Sequence, residues 1–243
     1  MIVISAGMQK SGSAYIYNII NDLLVESGGV DARLVKEQHD LDDVMKWHNN
    51  NVGKLEKSLL KRLVKISKSD GSFVVKTHGG PTSYLNRLMW LGKAKTIYIY
   101  RDPRDVTLSA IDHGKKILEQ GDNHTFANMV DFDKAVLNVR NWIKIYEAYN
   151  ANKRVLCVQY EQIMQEPMAT VKRLCQHLGI EVSDEKIQTI LQTYDRKNPN
   201  ANMTGLHFNK AKMKRYETEM TEEQRSKVKD VLGASIAAMG YEI

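Results

Sequence analysis

A short apolar run that breaks into a loop of small and polar residues, and then into a helical pattern, opens this chain and leaves few folds available to it. Ile2 to Ser5 reads as a buried strand and Gly7 to Ser13 as a tight loop. From Ala14 to Leu24 the apolar residues Tyr15, Ile19, Ile20, Leu23 and Leu24 recur at helical spacing. A tight loop between a strand and a helix N-terminus is a ready anion site. Backbone N–H groups converge there and the helix dipole adds positive potential.

The same alternation continues along the chain. Leu55 to Ile66 predicts a helix, Ser72–Lys76 a strand, Pro81 to Leu91 a helix, and Lys95–Tyr100 the clearest strand, with β-branched and aromatic residues in succession. Asp102 and Pro103 read as N-cap and first position of a helix running to about Asp112. Gly114 to Thr125 is charged and glycine-punctuated, which predicts a loop. Phe126 to Tyr149 reads as helical in two pieces, Arg154–Gln159 as a fourth strand, and Pro167–Leu178 and Asp184–Tyr194 as helices, with Gly179 stopping the first of them. Arg196 to Lys214 predicts loop. Thr221 to Met239 predicts a closing helix, with Thr221 and Gln224 forming a capping box. Residues 31 to 54 are polar and give no assignment. Alternating strands and helices predict an α/β fold: a mostly parallel central sheet flanked by helices, in one domain over residues 1–243.

Composition narrows the classes. With 243 residues, 42% hydrophobic and 26% charged, the chain can bury a full core without disulfides. The two cysteines, Cys157 and Cys175, form no C-x-x-C pair and read as reduced core thiols. No run approaches the roughly 20 apolar residues that span a bilayer. The apolar opening, Met1 to Ile4, is too short for a signal peptide. A cytoplasmic protein with no membrane partner is expected. The net charge of +6 favours anionic partners. Acids appear interspersed with the bases and no RNA- or DNA-binding motif is present, so a nucleic-acid partner is not expected.

Two segments carry chemistry. In the first loop Gly7 and Gly12 have the spacing of a nucleotide-binding loop, but Lys10 lies between them and Ser13 stands where that loop has its lysine. This disfavours a magnesium-dependent NTPase. Ser11 and Ser13 add hydroxyl donors. The second segment follows the strand ending at Tyr100. Arg101 sits at the carboxyl end of that strand, where ligands bind in open α/β sheets, and its guanidinium can take two phosphate oxygens at once. Ser109 lies two helical turns beyond Asp102 and can add a hydroxyl to the same anion.

Together these anchors resemble the sulfotransferases that use 3′-phosphoadenosine 5′-phosphosulfate (PAPS). Lys10-Ser11-Gly12-Ser13 is similar to their 5′-phosphosulfate loop, and Arg101 through Ser109 to their 3′-phosphate motif. Val75-Lys76-Thr77-His78 resembles their Lys-Thr-His strand end, and Tyr160-Glu161-Gln162-Ile163 their Tyr-Glu-Asp-Leu segment. Thr193-Tyr194 with Asn198-Pro199 falls where they have Ser-Phe and Asn-Pro. The resemblance runs in order through nearly the whole chain. It implies a P-loop-like sulfotransferase architecture, PAPS as co-substrate, adenosine 3′,5′-bisphosphate (PAP) as product, and no metal. It implies His78 as general base, with a rate rising through an ordinary histidine pKa. Lys10 would stabilise the departing phosphate and Lys76 would add positive charge around the transferring group. Lys10, Ser11, Gly12, Ser13 and Ala14 would hold the 5′ end, Arg101 and Ser109 the 3′-phosphate, and Tyr15, Tyr160, Thr193 and Tyr194 would lie near the adenine.

The sequence also departs from that pattern. The late Arg-Lys-Gly loop of the cytosolic class has its best match at Asn209-Lys210-Ala211, where only the lysine survives, with Lys212, Lys214 and Arg215 close behind. The chain begins almost at its first strand, so the N-terminal segment that walls the acceptor pocket in that class is expected to be missing. The acceptor is expected to be a small molecule bordered by residues 36 to 54 and 112 to 132. These hold Lys36, Glu37, Gln38, His39, Asp40, Asp42, Asp43, His48, His113, His124 and Asp131 but only Trp47, Phe126 and Phe132 as aromatics, which leans toward a polar or cationic acceptor taking sulfate on a hydroxyl or amine. The competing readings are a magnesium-nucleotide-dependent small-molecule kinase and a non-catalytic nucleotide- or nucleic-acid-binding protein. Oligomeric state is not legible.

Overall fold

The computed structural model describes residues 1–46, 50–121, 125–195, 197–198 and 212–243. Five parallel strands form one sheet in the order β2-β3-β1-β4-β5. They are β1 (Ile2–Gly7), β2 (Asn51–Val52), β3 (Phe73–Thr77), β4 (Ala94–Tyr100) and β5 (Val155–Gln159). β1 lies at the centre, with Ile4 opposite both Val75 and Thr96, and all six of its residues are buried. That is why it reads as a continuous apolar run: a central parallel strand has helices over both faces.

The helices are α1 (Ser13–Glu26), α2 (Ala32–Gln38), α3 (Lys57–Ser69), α4 (Ser83–Trp90), α5 (Pro103–Glu119), α6 (Phe132–Asn150), α7 (Tyr160–Gln165), α8 (Pro167–Leu178), α9 (Asp184–Thr193), α10 (Tyr216–Glu219) and α11 (Glu222–Ala238), with a 3-10 helix at Thr125–Val130. Parallel crossovers are right-handed. The connection from β1 to β2 runs one way across the sheet, whereas those from β2 to β3, β3 to β4 and β4 to β5 run the other way. So α1 covers one face, where it packs on α9, and α3, α4 and α6 cover the opposite face, where α3 packs on α4. The strands point their carboxyl ends to one edge, which brings together Gly7, Thr77 and Tyr100.

The local signals explain most boundaries. Asp102 accepts from Arg104 N–H with Pro103 at the first helical position, and the Thr221–Gln224 box is fully formed. Gly179 ends α8 in the left-handed conformation at φ 70°. Two elements depart from expectation. Residues 31 to 54 contain α2, capped by the Asp31 carboxylate, and the two-residue β2, too short to show a pattern. The loop expected from Gly114 to Thr125 is in large part helix, because α5 continues to Glu119. Gly114 is not a breaker here. A Cβ at that position would sit 2.5 Å from the Phe126 carbonyl oxygen, so the missing side chain lets the 3-10 helix lie directly on α5. The expected Arg196–Lys214 loop falls mostly outside the described residues. Both cysteines are free, Cys157 on β5 and Cys175 on α8.

This contact gives Gly114→Ala an inverted sign. In an open helix the change would stabilise by up to about 1 kcal/mol. Here overpacking against backbone should destabilise by roughly 1–3 kcal/mol. A lower urea midpoint at unchanged m-value is the expected result; a raised midpoint would show that the 3-10 helix gives way.

Candidate active site

β1 ends at Gly7, and the chain turns back into α1 through a loop with two left-handed residues. Lys10 has φ 65° and Gly12 φ 81°. For lysine that conformation is costly, and such strain is found where a site over-determines the backbone. Gly12 is the N-cap of α1 and makes no side-chain cap, so the first-turn N–H groups have no side-chain acceptor there. Gly12 also admits the Tyr160 ring, since a Cβ would come within 2.8 Å of it. Ser11 is fully buried, and its hydroxyl faces the Met8 carbonyl at 2.6 Å and the Ile99 carbonyl at 3.2 Å. It braces the loop against β4, a role the sequence does not reveal. Ser13 and Ala14 open α1, and Tyr15 is buried one residue further on.

The Lys10 ammonium lies 5.9 Å from the centre of the Phe126 ring. Burial, then repulsion from Lys116 and Arg101 against the attraction of Asp112, lowers its pKa to about 8. On the neighbouring strand Lys76 is 4% exposed, and burial lowers it to about 8 as well. His78 follows one residue after β3 ends. Its Nδ1 lies 2.7 Å from the Gly7 carbonyl oxygen. A carbonyl only accepts, so Nδ1 carries the proton and Nε2 keeps its lone pair. Lys76 Nζ donates to that lone pair at 2.9 Å and also reaches Asn51 Oδ1 at 3.5 Å. Burial and the Lys76 charge push the His78 pKa down to about 3. Both effects favour the neutral imidazole.

Arg101, 5% exposed, follows β4. Its Nη2 donates to Asp105 Oδ2 at 2.8 Å and to the Lys212 carbonyl at 2.5 Å, and its guanidinium lies 4.6 Å from the Tyr160 ring centre. Its Nε–H is buried without a partner, an orphan donor of the kind a phosphate oxygen takes up. Asp105 is fully buried and also accepts from Tyr216 N–H at 3.2 Å. Ser109 is buried on α5. Lys10 and Arg101 are close enough to repel one another, so the two anchors share one region.

The remaining expected residues divide. Tyr160 joins the two anchors through Gly12 and Arg101. Tyr194 is 3% exposed and its hydroxyl donates to Asp22 at 2.6 Å, tying α9 to α1. The exposed Thr193 has its hydroxyl on the Thr189 carbonyl. Lys210 and Ala211 lie outside the described residues, as do Trp47, His48, His124 and Pro199. Of the late basic residues that are described, Lys212 has its backbone against Arg101. Lys214 faces Glu217 at 3.8 Å, and Arg215 is committed to Asp112 and Glu219, each at 2.7 Å. On the acceptor side, two of the charges that suggested a polar pocket are ion-paired: Lys36 with Asp42 at 2.7 Å, and His39 with Asp70, which lies outside those segments, at 2.5 Å. Phe126, edge-on to His113 at 4.7 Å between ring centres, borders Lys10 instead. Sequence reasoning missed Asn51, because β2 has no pattern, and the hold of Asp105 on the Tyr216 amide, because that partner lies 111 residues away. Among the described residues no group of three or more His, Cys, Asp or Glu could hold a metal ion.

Residues 2–240 match the sequence profile of the sulfotransferase domain. Rat sulfotransferase 2A2 is 24% identical over 136 residues, covering 53% of this chain and 46% of the relative. The 3-beta-hydroxysteroid sulfotransferase of Cavia porcellus is 26% identical over 143 residues, covering 52% and 48%. The chain spans about half the length of these relatives. Among solved structures, mouse sulfotransferase SULT7A1 complexed with PAP superposes with a TM-score of 0.66 at 16% identity, covering 97% of this chain and 84% of that one. Retinol dehydratase in complex with androsterone and inactive cofactor PAP gives 0.60 at 19% identity, covering 100% and 82%. At these identities the structures show a shared fold.

The geometry sets the protonation of the two strand-end groups in opposite senses. Nitrogen-resolved NMR should find His78 as the neutral Nδ1–H tautomer from pH 5 to 9, and Lys76 losing its proton near pH 8. An imidazolium signal appearing between pH 6 and 7 would show that burial does not control this histidine.

Proposed function

Because the chain belongs to the sulfotransferase family, we propose that it transfers a sulfuryl group from PAPS to the hydroxyl of a small acceptor, with His78 as general base. The bond from His78 Nδ1 to the Gly7 carbonyl carries this reading. It ties the base to the first residue of the anion loop and leaves a neutral Nε2 lone pair beside it, the state proton abstraction requires.

In the reaction the acceptor oxygen forms a bond to sulfur as its proton passes to His78 Nε2. The bond from sulfur to the bridging oxygen breaks, and that oxygen keeps the electron pair within PAP. Lys10, in the strained loop, would stabilise the charge on that oxygen, together with the first-turn N–H groups of α1. Lys76 must release Nε2 for His78 to accept a proton, and an incoming anion gives its ammonium a stronger partner. Arg101, with its orphan Nε–H, and Ser109 would hold the 3′-phosphate. Tyr15 and Tyr160 would flank the adenine, with Thr193 and Tyr194 behind them through α9, and Lys210 and Ala211 would approach from the late segment. No divalent metal is required, since cations already meet the developing charge. For the acceptor, Phe126 supplies an apolar wall next to Lys10. The relatives named for hydroxysteroids point to the same chemistry, an alcohol on an apolar body.

PAP should raise the melting temperature in EDTA as well as in magnesium, by about 2.7 kcal/mol of stabilisation at a hundredfold excess over its Kd. ATP with magnesium should not match it; the reverse order would identify a kinase. Arg101→Ala should weaken PAP binding by roughly 1.5–3 kcal/mol.

Lys10→Ala should lower single-turnover rates more than PAP affinity, because Lys10 meets more charge in the transition state than in the ground state. His78→Asn should cut transfer to a hydroxyl acceptor by about 10²–10⁴-fold with PAP affinity intact; near-normal turnover would mean another base. PAP affinity should fall as pH rises through about 8, since Lys10 and Lys76 then lose the protons that make them cationic.

A further inference from the structure

The net charge of this protein comes from one part of its surface. Residues 54 to 95 hold ten basic residues and two acids, a balance of +8, whereas the whole chain carries +6. The rest of the molecule is therefore slightly acidic, and the bases are more segregated than they look along the sequence. The fold concentrates them further. Residues 54 to 95 include α3 and α4, which lie side by side over the same face of the sheet, with Lys57 at the start of α3 placed 5.9 Å from the Tyr84 ring at the start of α4.

On α3 the buried positions are Leu60, Leu63, Ile66 and Ser67. The outward positions Lys57, Lys61, Lys65 and Lys68 are all exposed and form a row about 16 Å long at 1.5 Å per residue. Among the described residues none of Lys61, Lys65 and Lys68 has a carboxylate at ion-pair distance. The two acids of the segment stand at the ends of α3, Glu56 at its N-cap and Asp70 held by His39. Alongside, α4 presents Arg87 and ends in Trp90, 68% exposed, and Leu91, 42% exposed, with Lys93 two residues on. An indole that exposed is unusual beside a full core, and nothing in the chemistry of the active site uses it.

We propose that the α3–α4 face docks this protein onto an anionic lipid bilayer. A row of unpaired lysines is attracted to a negatively charged leaflet without any fixed geometry, because an ammonium is a flexible point charge. A tryptophan with a neighbouring leucine is the side chain that seats at the depth of the lipid headgroups. A nucleic acid would use the cations but leave the Trp90–Leu91 pair without a role. It would also favour the fork of arginine, whereas six of the eight exposed bases here are lysines and Arg62 already donates to the His39 and Asp40 carbonyls. Among the described residues no helix is long and apolar enough to cross a membrane, and the contact proposed is made by this face.

The test is sedimentation of the full chain with vesicles of phosphatidylcholine alone or with 30 mol% phosphatidylserine. The protein should pellet with the anionic vesicles in 50 mM NaCl, stay in solution with the neutral ones, and be released in 500 mM NaCl. The triple variant K61E/K65E/K68E should lose at least tenfold in partition coefficient. Trp90→Ser, which leaves the charge unchanged, should lose severalfold, and the blue shift of tryptophan emission on vesicle addition should disappear with it. Circular dichroism melting and PAP binding should match the wild type in both variants. Failure to pellet with anionic vesicles would overturn the proposal, as would a triple variant that pellets like the wild type. A short duplex RNA bound with the same charge dependence, together with vesicle binding indifferent to Trp90→Ser, would reassign the face to soluble polyanions.

Discussion

Two buried cations and a half-buried third at one edge of a parallel sheet set the terms for everything around them. Lys10, Lys76 and Arg101 follow or end β1, β3 and β4, the three central strands, and the N-terminus of α1 adds its dipole to the same region. Burial lowers the Lys76 pKa to about 8, and on Lys10 burial is reinforced by the charges of Lys116 and Arg101. A protein gains nothing in stability from desolvating ammonium groups without pairing them. The arrangement makes sense as preorganisation. The cost of assembling positive charge is met during folding, so that a polyanion arriving at the edge meets donors already oriented.

The same economy of contacts governs the histidine. One hydrogen bond from Nδ1 to the Gly7 carbonyl links the loops after β1 and β3, fixes the tautomer and aims Nε2. Lys76, two residues earlier on an alternating strand, projects to the same side as His78, which is why the ammonium and the imidazole meet. Burial first, and the Lys76 charge with it, favour the neutral ring. At the other end, Asp105 grips both the Arg101 guanidinium and the Tyr216 amide, so the late segment is fastened to the anchor it would complete. Glu161 repeats the device, accepting from Asp102 N–H and from the Tyr241 hydroxyl, and burial raises its pKa.

How far this could be read from residues depended on whether the signal was local. The four longer strands, the Asp102 and Thr221 caps and the Gly7–Gly12 loop each depend on neighbours within a few positions, and all were legible. Gly114 was misread because its reason is a carbonyl 12 residues away in sequence, on a 3-10 helix that has no pattern of its own. Ser11 reads from the sequence as a hydroxyl donor in the glycine loop. Only the fold shows it buried against the Met8 and Ile99 carbonyls. Arg215 counted as a phosphate candidate by its charge, but α5 and α10 supply two carboxylates that hold it. Charge is visible in a sequence; commitment of that charge is not.

That distinction also separates the site from the surface. If the excess of lysines served only to draw in an anionic substrate, it would gather at the carboxyl edge of the sheet. Of the ten bases between positions 54 and 95, only Lys76 reaches that edge as part of the site. α3 runs away from the edge for 13 residues, about 20 Å at 1.5 Å each. At physiological ionic strength the Debye length is about 8 Å, so Lys65 and Lys68 lie too far along the helix to steer a ligand into the cleft. Their charge acts at their own surface, on whatever comes within a few ångströms of α3 and the exposed indole beside it.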